Sequence, residues 1–210
     1  MRTQTKETQE NLTPKDAHRI LAEGNARFVQ NVKAQRNLQD QVFETSKGQY
    51  PFAVVLSCID SRVPAELVFD QGIGDIFSVR VAGNIVNTDV LASMEYACKV
   101  AGSKIVVVLG HSKCGAVTAA CNNVDLGNIT ALLDKIKPAV EAVRENNQPM
   151  DDSTIEKVSV LNVALSIEKI RNESSILADL EFDGDIEIVG ALYDVSTGLV
   201  EFMETPHQAI

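Results

Sequence analysis

The chain has 210 residues, enough for one α/β domain with a substantial core, and its 45% hydrophobic and 23% charged residues exclude wholesale disorder. A formal net charge of -10 with scattered Lys and Arg argues against nucleic acid, whose phosphates reward clustered positive charge, and against a polybasic membrane anchor. No apolar run approaches the roughly 20 residues that a membrane-spanning helix needs.

The first residues, up to Asp16, are polar and hold no apolar segment of the signal-peptide kind, so a cytoplasmic location is expected, a previously removed signal being left open. Thr13-Pro14 reads as a helix start, a capping hydroxyl followed by proline. Ile20, Leu21, Phe28 and Val29 recur at helical spacing and predict an N-terminal helical arm over 12–32. Residues 33–50 are polar and expected to be mostly loop. The apolar run 52–57 suits a strand buried on both faces, and a second strand is predicted at 76–81. A helix follows from about Asp89 to Val100, ended by Gly102. Residues 104–109 are rich in β-branched side chains (Ile105, Val106, Val107, Val108), bounded by glycines, and form the clearest strand. Residues 114–121 read as helix. Two more helical stretches are expected between 125 and 178, split at Pro149-Met150-Asp151-Asp152. A fourth strand is predicted at 186–193, and a short fifth at 199–203 beyond the turn Ser196-Thr197-Gly198.

Strands alternating with helices predict a single α/β domain over 1–210 with a mostly parallel sheet. The expected order is 2-1-3-4, flanked by helices, with the fifth strand antiparallel at an edge because it follows a tight turn.

Two segments carry the chemistry. Cys58-Ile59-Asp60-Ser61-Arg62 and Gly110-His111-Ser112-Lys113-Cys114-Gly115 each begin where a buried strand ends. In open parallel sheets, sites form beyond the carboxyl ends of strands. Two thiolates and an imidazole suit zinc, and three protein ligands leave a fourth position open, as catalytic sites require. Water or the Asp60 carboxylate can take that position. An Arg62 fork on Asp60 would hold the carboxylate off the metal; released, Asp60 would bind the zinc and close the site.

The other two cysteines fit a core reading. Cys121 lies two helical turns, roughly 10 Å, beyond Cys114. Two sulfurs on one zinc sit no more than about 4.6 Å apart. Cys98 falls inside the preceding helix. His18 and His207 have no metal-like partner in the sequence and are expected at the surface. Lys113 is expected to face solvent, its charge and the helix start together favouring the Cys114 thiolate. A thiol redox enzyme would call for a resolving partner, often in CxxC, and no CxxC occurs. A non-catalytic zinc or metabolite-binding module is a further alternative.

The pair of segments resembles the CxDxR and HxxC signatures of β-carbonic anhydrases. The resemblance runs on through Val63-Pro64-Ala65-Glu66, Gly74-Asp75-Ile76-Phe77, Ala82-Gly83-Asn84-Ile85-Val86, Glu95-Tyr96-Ala97 and Ile105-Val106-Val107-Val108-Leu109-Gly110. It implies a zinc enzyme that reversibly hydrates carbon dioxide to bicarbonate and a proton by zinc-bound hydroxide. Cys58, His111 and Cys114 would be the zinc ligands, Asp60 and Arg62 the catalytic dyad. Gln49, Phe77 and Tyr96 match the carbon dioxide pocket of plant-type members. One branch of the family binds inhibitory bicarbonate with the help of a Trp shortly before the first zinc cysteine; Val55 stands there, so that control is not expected. The resemblance further implies a homodimer or homotetramer with the pocket near the subunit interface and the N-terminal arm against the neighbour.

Overall fold

Runs of β-branched residues build one sheet through the middle of the protein. The structure, a computed structural model, describes residues 2–144 and 150–203. The strands are β1 (Ala53–Ser57), β2 (Ile76–Arg80), β3 (Ile105–His111), β4 (Glu187–Tyr193) and β5 (Val200–Phe202). Their spatial order is β2-β1-β3-β4-β5. The first four are parallel, and β5 runs antiparallel to β4 at the edge, as the tight turn before it predicts.

The helices are α1 (Lys6–Glu10), α2 (Pro14–Val29), α3 (Leu38–Thr45), α4 (Ala65–Val68), α5 (Thr88–Glu95), α6 (Gly115–Cys121), α7 (Gly127–Leu133), α8 (Lys137–Val143), α9 (Asp152–Glu173) and α10 (Ser175–Phe182). Successive residues of a strand face opposite sides of a sheet, and the core divides accordingly. Ala53 and Val55 pack with Leu21 of α2 and Val68 of α4 on one side. Val54 and Leu56 pack with Met94 of α5 and Ile167 and Ile170 of α9 on the other. A third apolar cluster gathers α6, α8 and α9 around Cys58 and Cys114.

The arm begins as its caps dictate: the Thr13 hydroxyl accepts from the Asp16 N–H and the Asp16 side chain caps Thr13 in return. Several expectations need correction. Residues 33–50 are not mostly loop, because Asn37 caps α3 by accepting from the N–H groups of Gln39 and Asp40. The polar start of the chain holds α1, closed by a Thr5–Thr8 capping box. The helix expected to run to Val100 is α-helical only to Glu95 and continues as a π turn over Tyr96–Val100 before Gly102 at φ 83°. The region 125–178 carries α7, α8, α9 and the start of α10 rather than two stretches. Pro149, expected at the break, and His207 lie outside the described residues.

Candidate metal centre

The switch in strand order creates the site. The chain steps from β1 outward to β2 and then returns to the far side of β1 as β3, so the crevice beyond the carboxyl ends of β1 and β3 is uncovered. Cys58 follows the last residue of β1, and His111 is the last residue of β3. The pairing Ser57↔Leu109 brings Cys58 level with Gly110, beside His111. A tight turn with Lys113 at φ 53° then brings Cys114 back as the N-cap of α6. Cys58, His111 and Cys114 are all buried, and their ligand atoms lie within 4.8 Å of one another.

The residues present fit zinc. His111 Nδ1 lies 2.9 Å from the Ser112 carbonyl, which accepts from it and thereby assigns the proton to Nδ1. Nε2 is then left buried as an acceptor without a hydrogen-bond partner among the described residues, beside the two sulfurs. An orphaned imidazole nitrogen beside two buried sulfurs is the donor set of a tetrahedral zinc site, with a fourth position for a small oxygen ligand.

The two thiols act on each other. The neighbouring Cys114 thiol, then the His111 ring and the backbone of Gly83 and Asp60, hold the Cys58 thiol well below its ordinary range despite burial. The same pairing with Cys58, together with burial, pushes Cys114 up. One proton thus bridges a thiolate–thiol pair, and a divalent cation in its place favours two thiolates. Gly83, in a short 3-10 turn after β2, donates its N–H to Cys58 Sγ at 3.3 Å. Its carbonyl in turn accepts from the buried Asn162 amide of α9 at 2.9 Å.

Asp60 and Arg62 sit on the same loop. Arg62 Nε donates to Asp60 Oδ1 at 2.9 Å and Nη2 to Oδ2 at 2.7 Å, while the Arg62 backbone N–H adds a second bond to Oδ1 at 2.9 Å. The Arg62 fork holds the Asp60 carboxyl far below the usual carboxylate range. A carboxylate has about four acceptor positions. Three are taken by Arg62, and the remaining one is on Oδ2. Arg62 Nη2 also donates to the Lys113 carbonyl at 3.2 Å, tying this loop to the one that carries His111 and Cys114.

The three pocket residues lie elsewhere. Phe77 and Tyr96 meet edge to face with centroids 6.3 Å apart and line an exposed hollow with Ala92 and Ser93. Tyr96 also borders a cleft with Gln49, Tyr50 and Lys99. Phe77 pairs with Val54, four residues before Cys58, which is about 13 Å along the strand at ~3.3 Å per residue. Within one chain, therefore, the metal ligands converge with Asp60 and Arg62 but not with Gln49, Phe77 or Tyr96.

The remaining cysteines pack in the core, and burial pushes Cys98 up to about 12 and Cys121 upward as well. His18 is not a plain surface residue: its Nδ1 lies 3.2 Å from Glu187 Oε2 and its ring 4.2 Å from that of Phe202. Sequence reasoning missed Gly83, Asn162, Arg80 and Glu156 as supports. Glu156 accepts from the Lys113 N–H at 3.0 Å. Gly83 stands in a run that carries the resemblance, but Asn162 and Glu156 lie on a distant helix with no local signal.

Comparison with known proteins points one way. The family model described as carbonic anhydrase matches residues 53–200. The chain is 35% identical over 195 residues to carbonic anhydrase 2 of Mycobacterium tuberculosis, covering 90% of this chain and 92% of the relative. It is 34% identical to a carbonic anhydrase of Mycolicibacterium smegmatis, covering 91% and 94%. Among solved structures it resembles the β-carbonic anhydrase CcaA (TM-score 0.73, 26% identity, 79% of this chain and 85% of the other). It also resembles the β-carbonic anhydrase CafA of Aspergillus fumigatus (TM-score 0.72, 25% identity, 81% and 85%).

Proposed function

This chain belongs to the β class of the carbonic anhydrase family, and we propose from that premise that Asp60 and Arg62 are its catalytic dyad and that a second copy of the chain completes its pocket. The enzyme catalyses the reversible hydration of carbon dioxide to bicarbonate and a proton, with zinc as cofactor. The observation that carries this reading is the buried triad of Cys58, His111 and Cys114 with the Asp60–Arg62 pair beside it.

Cys58, His111 and Cys114 would hold the ion. When bound, zinc lowers the pKa of a coordinated water toward neutrality and so supplies the nucleophile. Asp60 would do the orienting: with three acceptor positions committed to Arg62, its last Oδ2 position would accept a hydrogen bond from the attacking water and fix which lone pair faces the carbon. Arg62 keeps Asp60 ionised and off the metal; a released Asp60 would be a fourth ligand in a closed state. His111 is held in one tautomer by the Ser112 carbonyl, so its Nε2 is available as an acceptor without reorganisation.

Gln49, Phe77 and Tyr96 form the substrate pocket, two rings for an apolar molecule and an amide for an oxygen of carbon dioxide or bicarbonate. Their separation from the ligands of their own chain supports a homo-oligomer in which they serve the neighbour's site. Val100, which lines the cleft with Gln49 and Tyr96, is left 70% exposed and supports such a contact. Residues 1–210 form one catalytic domain in this reading, with 12–32 as an arm against the neighbour. Among the described residues no helix is long and apolar enough to cross a membrane, and four unpaired cysteines suit a reducing compartment, which supports a cytoplasmic location.

Stopped-flow hydration of carbon dioxide, on protein with measured zinc content, tests the function. Fast turnover in the wild type, lost together with zinc in Cys114→Ala, is expected. Zinc without turnover between pH 7 and 9 would leave a binding protein on this fold.

A further inference from the structure

The segment that leaves β1 toward the site has little to hold it. Cys58 is buried, but Ile59 is 61% exposed, so no apolar anchor stands between the first ligand and Asp60. The sheet has ended, and the carbonyls of the segment have no strand partners. Arg80 supplies them. It is the last residue of β2, paired in register with Ser57. Its Nε donates to the Cys58 carbonyl at 3.0 Å and its Nη2 to the Asp60 carbonyl at 2.6 Å. One planar guanidinium therefore bridges the carbonyls of Cys58 and Asp60, the residues on either side of Ile59. Its neighbour bonds extend the brace: the Val81 N–H donates to Ser57 O, and the Val63 N–H shares the Asp60 carbonyl.

We propose that Arg80 is a positioning residue for the reaction, a main-chain clamp that fixes Asp60 relative to the metal ligands while Arg62 fixes the Asp60 carboxylate. The two arginines divide the work. Arg62 sets which way the carboxylate points on its own short side chain. Arg80 sets where the Asp60 backbone stands with respect to Cys58, and so the distance from Oδ2 to the reacting water. Placement within about an ångström decides such a contribution, and a displacement of that size costs on the order of a hundredfold in rate. A rigid two-donor fork fits two carbonyls held apart by one residue; a lysine ammonium has three donors but no planar fork, so it holds the pair less rigidly. The inference rests on the assignment of Asp60 to the dyad.

The test uses full-length zinc-loaded protein as wild type, Arg80→Lys, Arg80→Ala, Asp60→Asn and the double variant Arg80→Ala/Asp60→Asn. Zinc per chain, stopped-flow kcat and KM, and the visible spectrum of the Co(II)-substituted form are measured. We expect Arg80→Ala to keep its metal, to lose about tenfold or more in kcat with little change in KM, and to shift the cobalt bands. Arg80→Lys restores part of the kcat. In the Asp60→Asn background the same alanine substitution costs less than twofold, because residues acting through one another are not additive. A kcat per bound zinc within twofold of wild type, a loss that merely follows zinc content, or an undiminished loss in the Asp60→Asn background would each overturn the clamp. Wild-type protein that binds zinc but shows no hydration would instead sink the anhydrase reading, and the cobalt spectra would still decide whether Arg80 shapes the site: shifted bands keep the clamp, superimposable ones remove it.

Discussion

Gly83 donates its backbone N–H to the Cys58 sulfur from the left-handed region, at φ 68° and ψ 18°, and no residue with a side chain fits there without strain. A Cβ at position 83 would stand 2.6 Å from Ile136 Cδ1, in a buried side chain, and 3.3 Å from the Ala116 Cβ. Gly83→Ala should therefore destabilise by about 1–3 kcal/mol, from the left-handed backbone and the displaced Ile136 together. It should also weaken zinc retention, because the peptide that faces the Cys58 thiolate must turn. Thermal unfolding at fixed protein concentration, and zinc loss to a chelator followed over time, check both. An unchanged melting temperature with unchanged zinc loss would mean that the turn does not support the ligand.

Asp60→Asn separates the dyad from the metal ligands. The amide keeps the size of the carboxylate but loses its charge, and one of its two ends can no longer accept from Arg62. The ligand atoms of Cys58, His111 and Cys114 are untouched, so zinc should stay near one per chain. Turnover should fall by roughly a hundredfold or more, the range for losing a group that positions the reacting atom. Metal analysis and stopped-flow hydration on one preparation decide it; full activity would remove Asp60 from the mechanism.

The buried carboxylate of Asp70 is structural. Asp70 accepts from Arg27 Nε and Arg36 Nη1, each at 2.6 Å, and from the Ala34 N–H at 3.1 Å, so it ties the segment after α2 to the end of α4. Burial raises its pKa, but the bonds from Arg27, Arg36 and Ala34 outweigh burial and leave it lowered. Asn tolerates the left-handed backbone found here, φ 45°, so Asp70→Asn removes mainly the charge. It should cost about 2–4 kcal/mol near pH 7 by removing the buried negative charge that Arg27 and Arg36 both face. A carboxyl with a depressed folded-state pKa stabilises above its unfolded value, near 3.9, and that contribution is lost as pH falls through the folded value. The stability gap between wild type and variant should therefore close below about pH 4, when Asp70 itself takes up a proton. Denaturant unfolding from pH 7 to 3 measures it, and a gap that stays constant would contradict the charge argument.

What the sequence makes legible follows physical range. Strand order, the edge strand and the three metal ligands rest on local signals: β-branched runs, a tight turn, and cysteine and histidine just beyond strand ends. The Asp60–Arg62 pair is legible because a single residue separates its members. The Arg80 clamp on Cys58 and Asp60 is not, since it depends on the register Ser57↔Arg80, which pattern alone does not provide. The Asn162–Gly83 contact spans 79 residues and has no periodic signature at either end. The polar composition of 33–50 hides α3, and the end of α5 is not legible because the π turn over Tyr96–Val100 keeps helical composition while changing the hydrogen bonding.

The placement of Phe77 and Tyr96 leads to a prediction about assembly. In one chain these rings lie about 13 Å along the sheet from the level of Cys58, farther than a three-atom substrate can reach. If a neighbouring copy presents them, each site is made of two chains, and two different defects can be divided between copies. Cys114→Ala removes metal from its own site but leaves its rings intact. Tyr96→Ala keeps its metal and spoils the pocket it lends. Each variant alone should be impaired, Cys114→Ala severely. When the two are denatured together and refolded as a mixture, hybrid oligomers contain one site with metal from the Tyr96→Ala chain and rings from the Cys114→Ala chain. Turnover of the mixture should rise above the sum of the separately refolded variants, toward a quarter or so of wild type for random pairing into dimers. Size-exclusion chromatography with light scattering establishes that hybrids form. Hybrids that form without any gain in turnover would show that Tyr96 serves the site of its own chain, or none.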